Sequence, residues 1–358
     1  MLDPNALCES LTAKLAGHNL PVIRHTSARV IALLSSRTSD INTIANTILQ
    51  DQAFTARILN VANSAYYRRR ADKITTVSRA VSHVGYGTAR DIAIASEYAD
   101  FAHKRFPGAV NLRRVMARAF VAAHQATALG QAIGLPDAEA LFTSALLESL
   151  GEFALASYMP KITQLIEETG LTQGLPYDEA HLQVTGLTPH AITAIVAAKY
   201  QLPEDLILPP PNWETQIQWT PKERRHAVVH IANACAINLF ANESPLVLSH
   251  FTKFMTRATT ALGLPSGKVA SILTEAFQKA LDFGATVNLE RKCFALDKST
   301  PNDTGRHGLI ETCAQLVDPQ GTETSPGHRP SDPSAHPQEK QSLAGDQGPH
   351  ESKGNDHV

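Results

Sequence analysis

The 358 residues carry 32 Lys and Arg against 34 Asp and Glu, and 43% of them are apolar. That fits one large or two small globular domains. No apolar run approaches the ~18 residues of a membrane span, and a net charge of −2 excludes a surface basic enough to coat nucleic acid, though not a local basic patch.

The N-terminal stretch mixes Asp3, Glu9 and Lys14 with apolar residues, without the apolar centre of a signal peptide. The predicted elements are then helical throughout. Ile41, Ile44, Ala45, Ile48 and Leu49 repeat at helical spacing behind Asp40 as N-cap, and Phe54, Ile58, Leu59, Val61 and Ala62 follow Asp51 in the same way. Ile74 to Val77 reads as a connector into a helix with Ala80, Val81 and Val84, and the lone G-x-G at Gly85-Tyr86-Gly87 as a helix terminus. A longer helix spans Met116 to Ile133 and ends at Gly134; Asp137 caps the next, with Leu141, Ala145 and Leu146. Three prolines, Pro209 to Pro211, interrupt the pattern between Leu208 and Trp219, as a kinked connector within one body or a junction between two helical lobes. Thr220-Pro221-Lys222-Glu223 is a capping box opening a helix with Val228, Ile231, Cys235 and Leu239. A last amphipathic helix from Val269 to Leu281 is read as closed by Gly284. No β-branched alternation runs long enough for a strand, so the expected fold is all-α.

From Asp297 onward Pro, Gly, Ser, Asp, Gln and His dominate, and large apolar residues nearly vanish after Val317. Such a tail cannot bury enough apolar surface to offset its chain entropy, and disorder is expected over 297–358. Four of the fifteen histidines, His328, His336, His350 and His357, fall there at irregular spacing. Four cysteines without C-x-x-C spacing imply neither a disulfide framework nor a zinc knuckle, and a cytoplasmic location is expected.

The usual catalytic spacings (H-E-x-x-H, the phosphate-binding loop, G-x-S-x-G) are absent. His226 and His230 stand four apart, a spacing that can chelate metal from one helix face, but their own helix offers no third ligand and they read as one exposed and one half-buried imidazole. Arg68, Arg69 and Arg70 follow Tyr66 and Tyr67, a pattern that can hold a phosphate or nucleotide by charge and stacking, or can be a solvated loop. The basic cluster Arg113, Arg114 and Arg118 is read likewise. Glu148, Glu152, Glu167 and Glu168 receive no catalytic role from spacing alone. Asp51, Asn63 and Ser64 read as a structural cap and corner.

Several blocks together resemble the bacterial HDOD domain. Leu20-Pro21, then Ile48-Leu49-Gln50-Asp51 running into Ala62-Asn63-Ser64-Ala65-x-Tyr67, is similar to the family's "D-P-x-L-x-x-x-L-L-x-x-A-N-S-A-x-Y", with Gln52 at the proline. Ile74 to Gly85 resembles "I-x-S-I-x-x-A-I-x-x-L-G", Ala145-Leu146-Leu147-Glu148-Ser149-Leu150-Gly151 stands where the family has "G-L-L-H-D-I-G", and Tyr200-Gln201-Leu202-Pro203 resembles "W-G-L-P". The resemblance implies an HD-like helical bundle of two lobes. Residues 1–14 start the N-terminal helix, 15–240 form the HDOD domain, 241–296 a helical extension, and 297–358 the tail.

The family is related to the HD phosphohydrolases, which bind a divalent metal through a histidine, a His-Asp pair and a later aspartate. Here the resemblance places Arg118 at the first histidine, Glu148 and Ser149 at the pair and Asn233 at the aspartate. Pro189, beside His190, falls where many members have a histidine, and Pro209 to Pro211 where a His-His pair often follows. Arginine repels a metal, while serine and asparagine are poor neutral ligands. This predicts a metal-free, cofactor-free site without catalytic residues, filled by a salt bridge between Arg118 and Glu148.

Three functions stay in view. The favoured one is a non-catalytic signalling module that contacts protein partners through the Arg68–Arg70 loop or the helices after Trp213, a homo-oligomer being compatible. The alternatives are a metal-dependent phosphohydrolase acting on nucleotides, and a non-catalytic binder of a small anionic nucleotide through Tyr67, Arg68, Arg69 and Arg70.

Overall fold

A computed structural model describes residues 2–16, 29–30, 32–34, 36, 39–64, 67, 73–106, 109–136, 138, 140–200, 202, 207–211, 219–240, 245–287 and 289–294, all within one compact unit. Arg68, Arg69, Arg70, Tyr66, Leu20-Pro21, Pro203, Asp137 and the whole tail with its four histidines lie outside the described residues.

No described residue is in a strand, and residues 29–30 and 32–34 are helical; besides these, fourteen α-helices are bounded within the described residues. They are α1 (Pro4–Leu15), α2 (Ile41–Ile48), α3 (Gln52–Ala62), α4 (Val77–Val84), α5 (Tyr86–Arg105), α6 (Val110–Ala132), α7 (Ala140–Glu148), α8 (Leu150–Tyr158), α9 (Pro160–Gln173), α10 (Tyr177–Thr185), α11 (Pro189–Lys199), α12 (Pro221–Leu239), α13 (Pro245–Leu262) and α14 (Ser266–Thr286), followed by a 3₁₀ turn at Arg291–Phe294. Among the described residues no helix is long and apolar enough to cross a membrane.

Local chemistry sets the helix starts. Asp40 accepts from the backbone N–H groups of Asn42 and Thr43. Asp51 accepts from Phe54 at 2.9 Å. Thr220 and Glu223 close the capping box reciprocally. Each bond satisfies a donor that the first helical turn leaves unpaired. Gly85 serves both as the end of α4 and the start of α5, at φ 90°, a left-handed geometry open to glycine.

The core is built around α6. Ala117, Ala119, Ala122, Ala123 and Ala126 are all fully buried, and α12, α14 and α7 pack along this helix. Small side chains let three neighbours approach one axis on several sides. Helices α2 to α5 form a smaller group that packs mainly on itself and meets the rest through α5 on α6 and α7 and through α3 on α14. The two lobes therefore divide before α6. The proline connector lies inside the larger one, since α12 after it packs on α6 and α7 before it.

One expected helix end is corrected. Gly284 does not close the last helix, which continues to Thr286. A Cβ on Gly284 would stand 2.6 Å from Phe294 Cζ. Glycine is there to seat that aromatic ring, and a glycine near a helix end serves this purpose as readily as a stop.

Candidate functional site

The break between α7 and α8 creates the site. Helix α7 ends at Glu148, Ser149 turns the chain, and α8 begins at Leu150. Gly151 permits α11 to lie against this break: its N–H donates to Thr193 Oγ1 at 3.1 Å, and Thr193 Oγ1 donates to the Glu148 carbonyl at 2.7 Å. Thr188 caps α11 by accepting from Ala191 at 3.1 Å, which fixes His190 in the first turn beside Glu148. From the other side α12 packs on α7 and brings His230.

Three donors from three helices thus meet. His190 Nδ1 lies 2.5 Å from Glu148 Oε1, the rings of His190 and His230 are 5.4 Å apart, and one ligand atom from each of the three residues falls within 4.8 Å of the others. Glu148 is 8% exposed, and its Oε2 is sealed from solvent without a hydrogen-bond partner. His230 Nε2 stands 2.6 Å from the Leu208 carbonyl. A carbonyl only accepts, so Nε2 carries the proton and the neutral ring keeps its lone pair on Nδ1. Burial, opposed by the charge of Glu148 and by the carbonyl bond, holds His230 below the ordinary histidine pKa. The same connector that interrupts the helices therefore orients this imidazole.

The positions that the family resemblance singled out are otherwise engaged. Arg118 does not pair with Glu148, as the sequence led us to expect. It pairs with Glu152 and lies 4.5 Å over the Tyr177 ring. Glu148 and Glu152 are four residues apart but belong to different helices, and the turn at Ser149 sends their carboxylates to different partners. Burial works against the Arg118 charge, but Glu152 and then Tyr177 outweigh it, and its pKa is raised. Burial and the Glu152 charge push Tyr98 up, while burial pushes the neighbouring His181 down. Asn233 is 8% exposed and donates from Nδ2 to the Val229 carbonyl at 3.0 Å. Ser149 is buried as the N-cap residue of α8.

These four positions do not fit the ion of an HD hydrolase. One is a paired cation, one a neutral amide turned into its own helix, one a buried hydroxyl; only Glu148 offers a ligand. The premise that Glu148 stands alone does not hold, however, because His190 and His230 reach it from outside the HD pattern. The His226–His230 spacing drew attention to the right helix but the wrong pair: His230's neighbours come from α7 and α11.

The remaining motif residues are placed apart from this cluster. Asn63 donates from Nδ2 to the Leu59 and Ile74 carbonyls and accepts from Ile74 N–H, each at 2.8 Å. It ties the end of α3 to the connector before α4. Ser64 N–H donates to the Val61 carbonyl at 3.0 Å. The Tyr67 carbonyl lies 2.6 Å from His83 Nε2. Glu167 pairs with Arg114 at 3.8 Å.

Comparison with known proteins agrees with this architecture. A solved HDOD domain protein with unknown function from Geobacter sulfurreducens superposes with a TM-score of 0.58 at 19% identity, covering 80% of this chain and 99% of that one. A provisionally named phosphohydrolase from Shewanella amazonensis SB2B gives 0.52 at 19% identity, over 80% and 98%. A provisionally named signal transduction protein from Marinobacter aquaeolei VT8 gives 0.54 at 17% identity, over 80% and 65%. No curated protein matches the sequence. The HDOD domain model matches residues 20–210, more than half the chain and the whole span from before α2 to the connector that holds His230. The protein belongs to the HDOD domain family.

Proposed function

We propose that this chain is a non-catalytic regulatory module of bacterial signal transduction that works by contacting other proteins. One observation carries this reading. Three of the four residues at the HD ligand positions give an ion nothing to bind: Arg118 pairs with Glu152 and lies over Tyr177, Asn233 donates to its own helix, and Ser149 is buried at the turn into α8. A phosphohydrolase needs an ion with open positions and a water to activate, and the four HD positions, with Glu148 as their one ligand, do not assemble the ion of that chemistry. The signal-transduction name carried by one structural neighbour is in keeping with the reading.

The test has two arms. Purified protein is incubated with Mn²⁺ and a panel of nucleotides and phosphodiesters, and in-cell crosslinking followed by identification of captured chains is run under several growth conditions. We expect no turnover and a reproducible captured protein. Turnover abolished by Glu148→Ala would establish the hydrolase instead. Failure to capture any specific protein under all conditions would remove the interaction reading.

A further inference from the structure

We propose that Glu148, His190 and His230 form a binding site for one divalent transition-metal ion of the zinc class, sharing Glu148 alone with the HD ligand positions and independent of whether the module catalyses anything.

Four observations carry it. One ligand atom from each of the three residues lies within 4.8 Å of the other two. Ligands at tetrahedral zinc stand about 3.3 Å from one another, so the three residues already stand near the spacing an ion needs. Next, Glu148 presents a buried Oε2 that no protein group satisfies. A carboxylate oxygen in that position is costly unless something positive or protic meets it. Third, the Leu208 carbonyl already occupies His230 Nε2 at 2.6 Å. This is the arrangement that fixes the tautomer and ring orientation of metal-bound histidines. Lastly, the donors sit on three different helices, α7, α11 and α12. Ordinary packing has thus brought them together at no loop's discretion.

The donor set selects the metal. Two imidazoles and one carboxylate suit zinc, cobalt, iron or manganese; magnesium and calcium favour all-oxygen shells. Three protein ligands leave one position for water or a partner's side chain. An ion here would replace the direct His190–Glu148 bond and cross-link three helices, holding the proline connector through Leu208. That supplies the module with a metal-dependent rigidity. No change of bonding in a substrate is involved.

The experiment uses the full chain, stripped with a chelator and titrated with Co²⁺ while visible absorption is followed. We expect one tight equivalent with the bands of a tetrahedral or five-coordinate ion. His190→Ala and Glu148→Gln, checked for fold by circular dichroism, should lose it, and His190→Asp, which keeps a ligand, should retain it with shifted bands. Should a variant unfold, the wild type alone decides. Stoichiometric Zn²⁺ should shield His190 from diethyl pyrocarbonate, read by mass spectrometry, and leave the labelling of His328, His336, His350 and His357 unchanged. The proposal is overturned by the absence of a tight equivalent, by binding that survives both variants, or by His190 labelling that ignores the metal. The last two results would assign the ion to the tail.

Discussion

Gly151 lets its own backbone touch Thr193, because it has no side chain of its own to stand between them. The glycine N–H donates to the threonine hydroxyl at 3.1 Å, and a Cβ on Gly151 would lie 2.9 Å from Thr193 Cα and 2.8 Å from the Ile192 carbonyl carbon. The neighbouring atoms are backbone and cannot rotate away. Gly151→Ala must therefore push α11 off α8, carrying His190 away from Glu148. We expect a loss of about 2–4 kcal/mol of stability, at or above the upper end of ordinary overpacking. Urea unfolding measures it; a change under ~0.5 kcal/mol would mean that the two helices are not in this contact.

Arg118 and Glu152 form an ion pair with little access to solvent, at 9% and 4% side-chain exposure. Removing one partner strands a charge. Arg118→Met alone and Glu152→Gln alone should each cost about 3–5 kcal/mol, and the double variant less than the sum, since replacing both ends of a buried pair is far milder than breaking it. Chemical denaturation of the four proteins completes the cycle. Strict additivity would show that the two side chains do not interact.

His124 gives stability a pH dependence. Its ring packs edge-on to Phe142 and Phe283, with Nε2 sealed and unpartnered. Burial, and then the charge of Lys279, lower its pKa from 6.5 to about 3. Between those values the unfolded chain binds the proton and the folded one does not. Stability is fully present above pH 6.5 and is lost as pH falls toward 3, with a limiting slope of about 1.4 kcal/mol per pH unit. His124→Phe should flatten that acid limb relative to wild type in thermal melts from pH 7 to pH 4. Parallel curves for the two proteins would remove His124 as the cause.

Asn63 makes three hydrogen bonds that clamp one connector. Asn63→Ala deletes all three and leaves the Ile74 N–H without its acceptor. A cost of about 2–3 kcal/mol is expected, with faster amide exchange around Ile74. Asn63→Asp should recover only part of it, because it restores the acceptor and not the donor. Equal stability of the alanine variant and wild type would make the residue available for some role other than shape.

The caps were legible in the sequence because their causes are local: Asp40, Asp51 and Thr220 act on residues two or three positions away. Apolar spacing marked most of α6 and α14, whereas α5 and α13, at 20 and 18 residues, received no element of their own. The site was half legible. Glu148 was visible beside Ser149 and Gly151 in a family motif, but its partners lie 42 and 82 residues further along, on helices whose packing no spacing encodes. The expected Arg118–Glu148 pair failed for a related reason. One turn at Ser149 decides which glutamate faces the arginine, and nothing nearby in sequence reports the direction of that turn. Gly284 shows the reverse error, a local signal with a non-local cause.

The alanines of α6 set limits on how this protein can vary. All five are fully buried, on a helix that three others pack along, and a larger group at any of them must push a neighbouring helix away. A saturation mutagenesis scan should show intolerance on several sides of α6, accepting glycine or serine at best, while the outer faces of α9 and α10, where Leu165, Leu171 and Leu182 are exposed, accept broad replacement unless a partner covers them. Mutational tolerance would then map the protein's contacts in the cell from the inside out: the alanines report the fold, and any intolerance on the outer leucines reports what binds there.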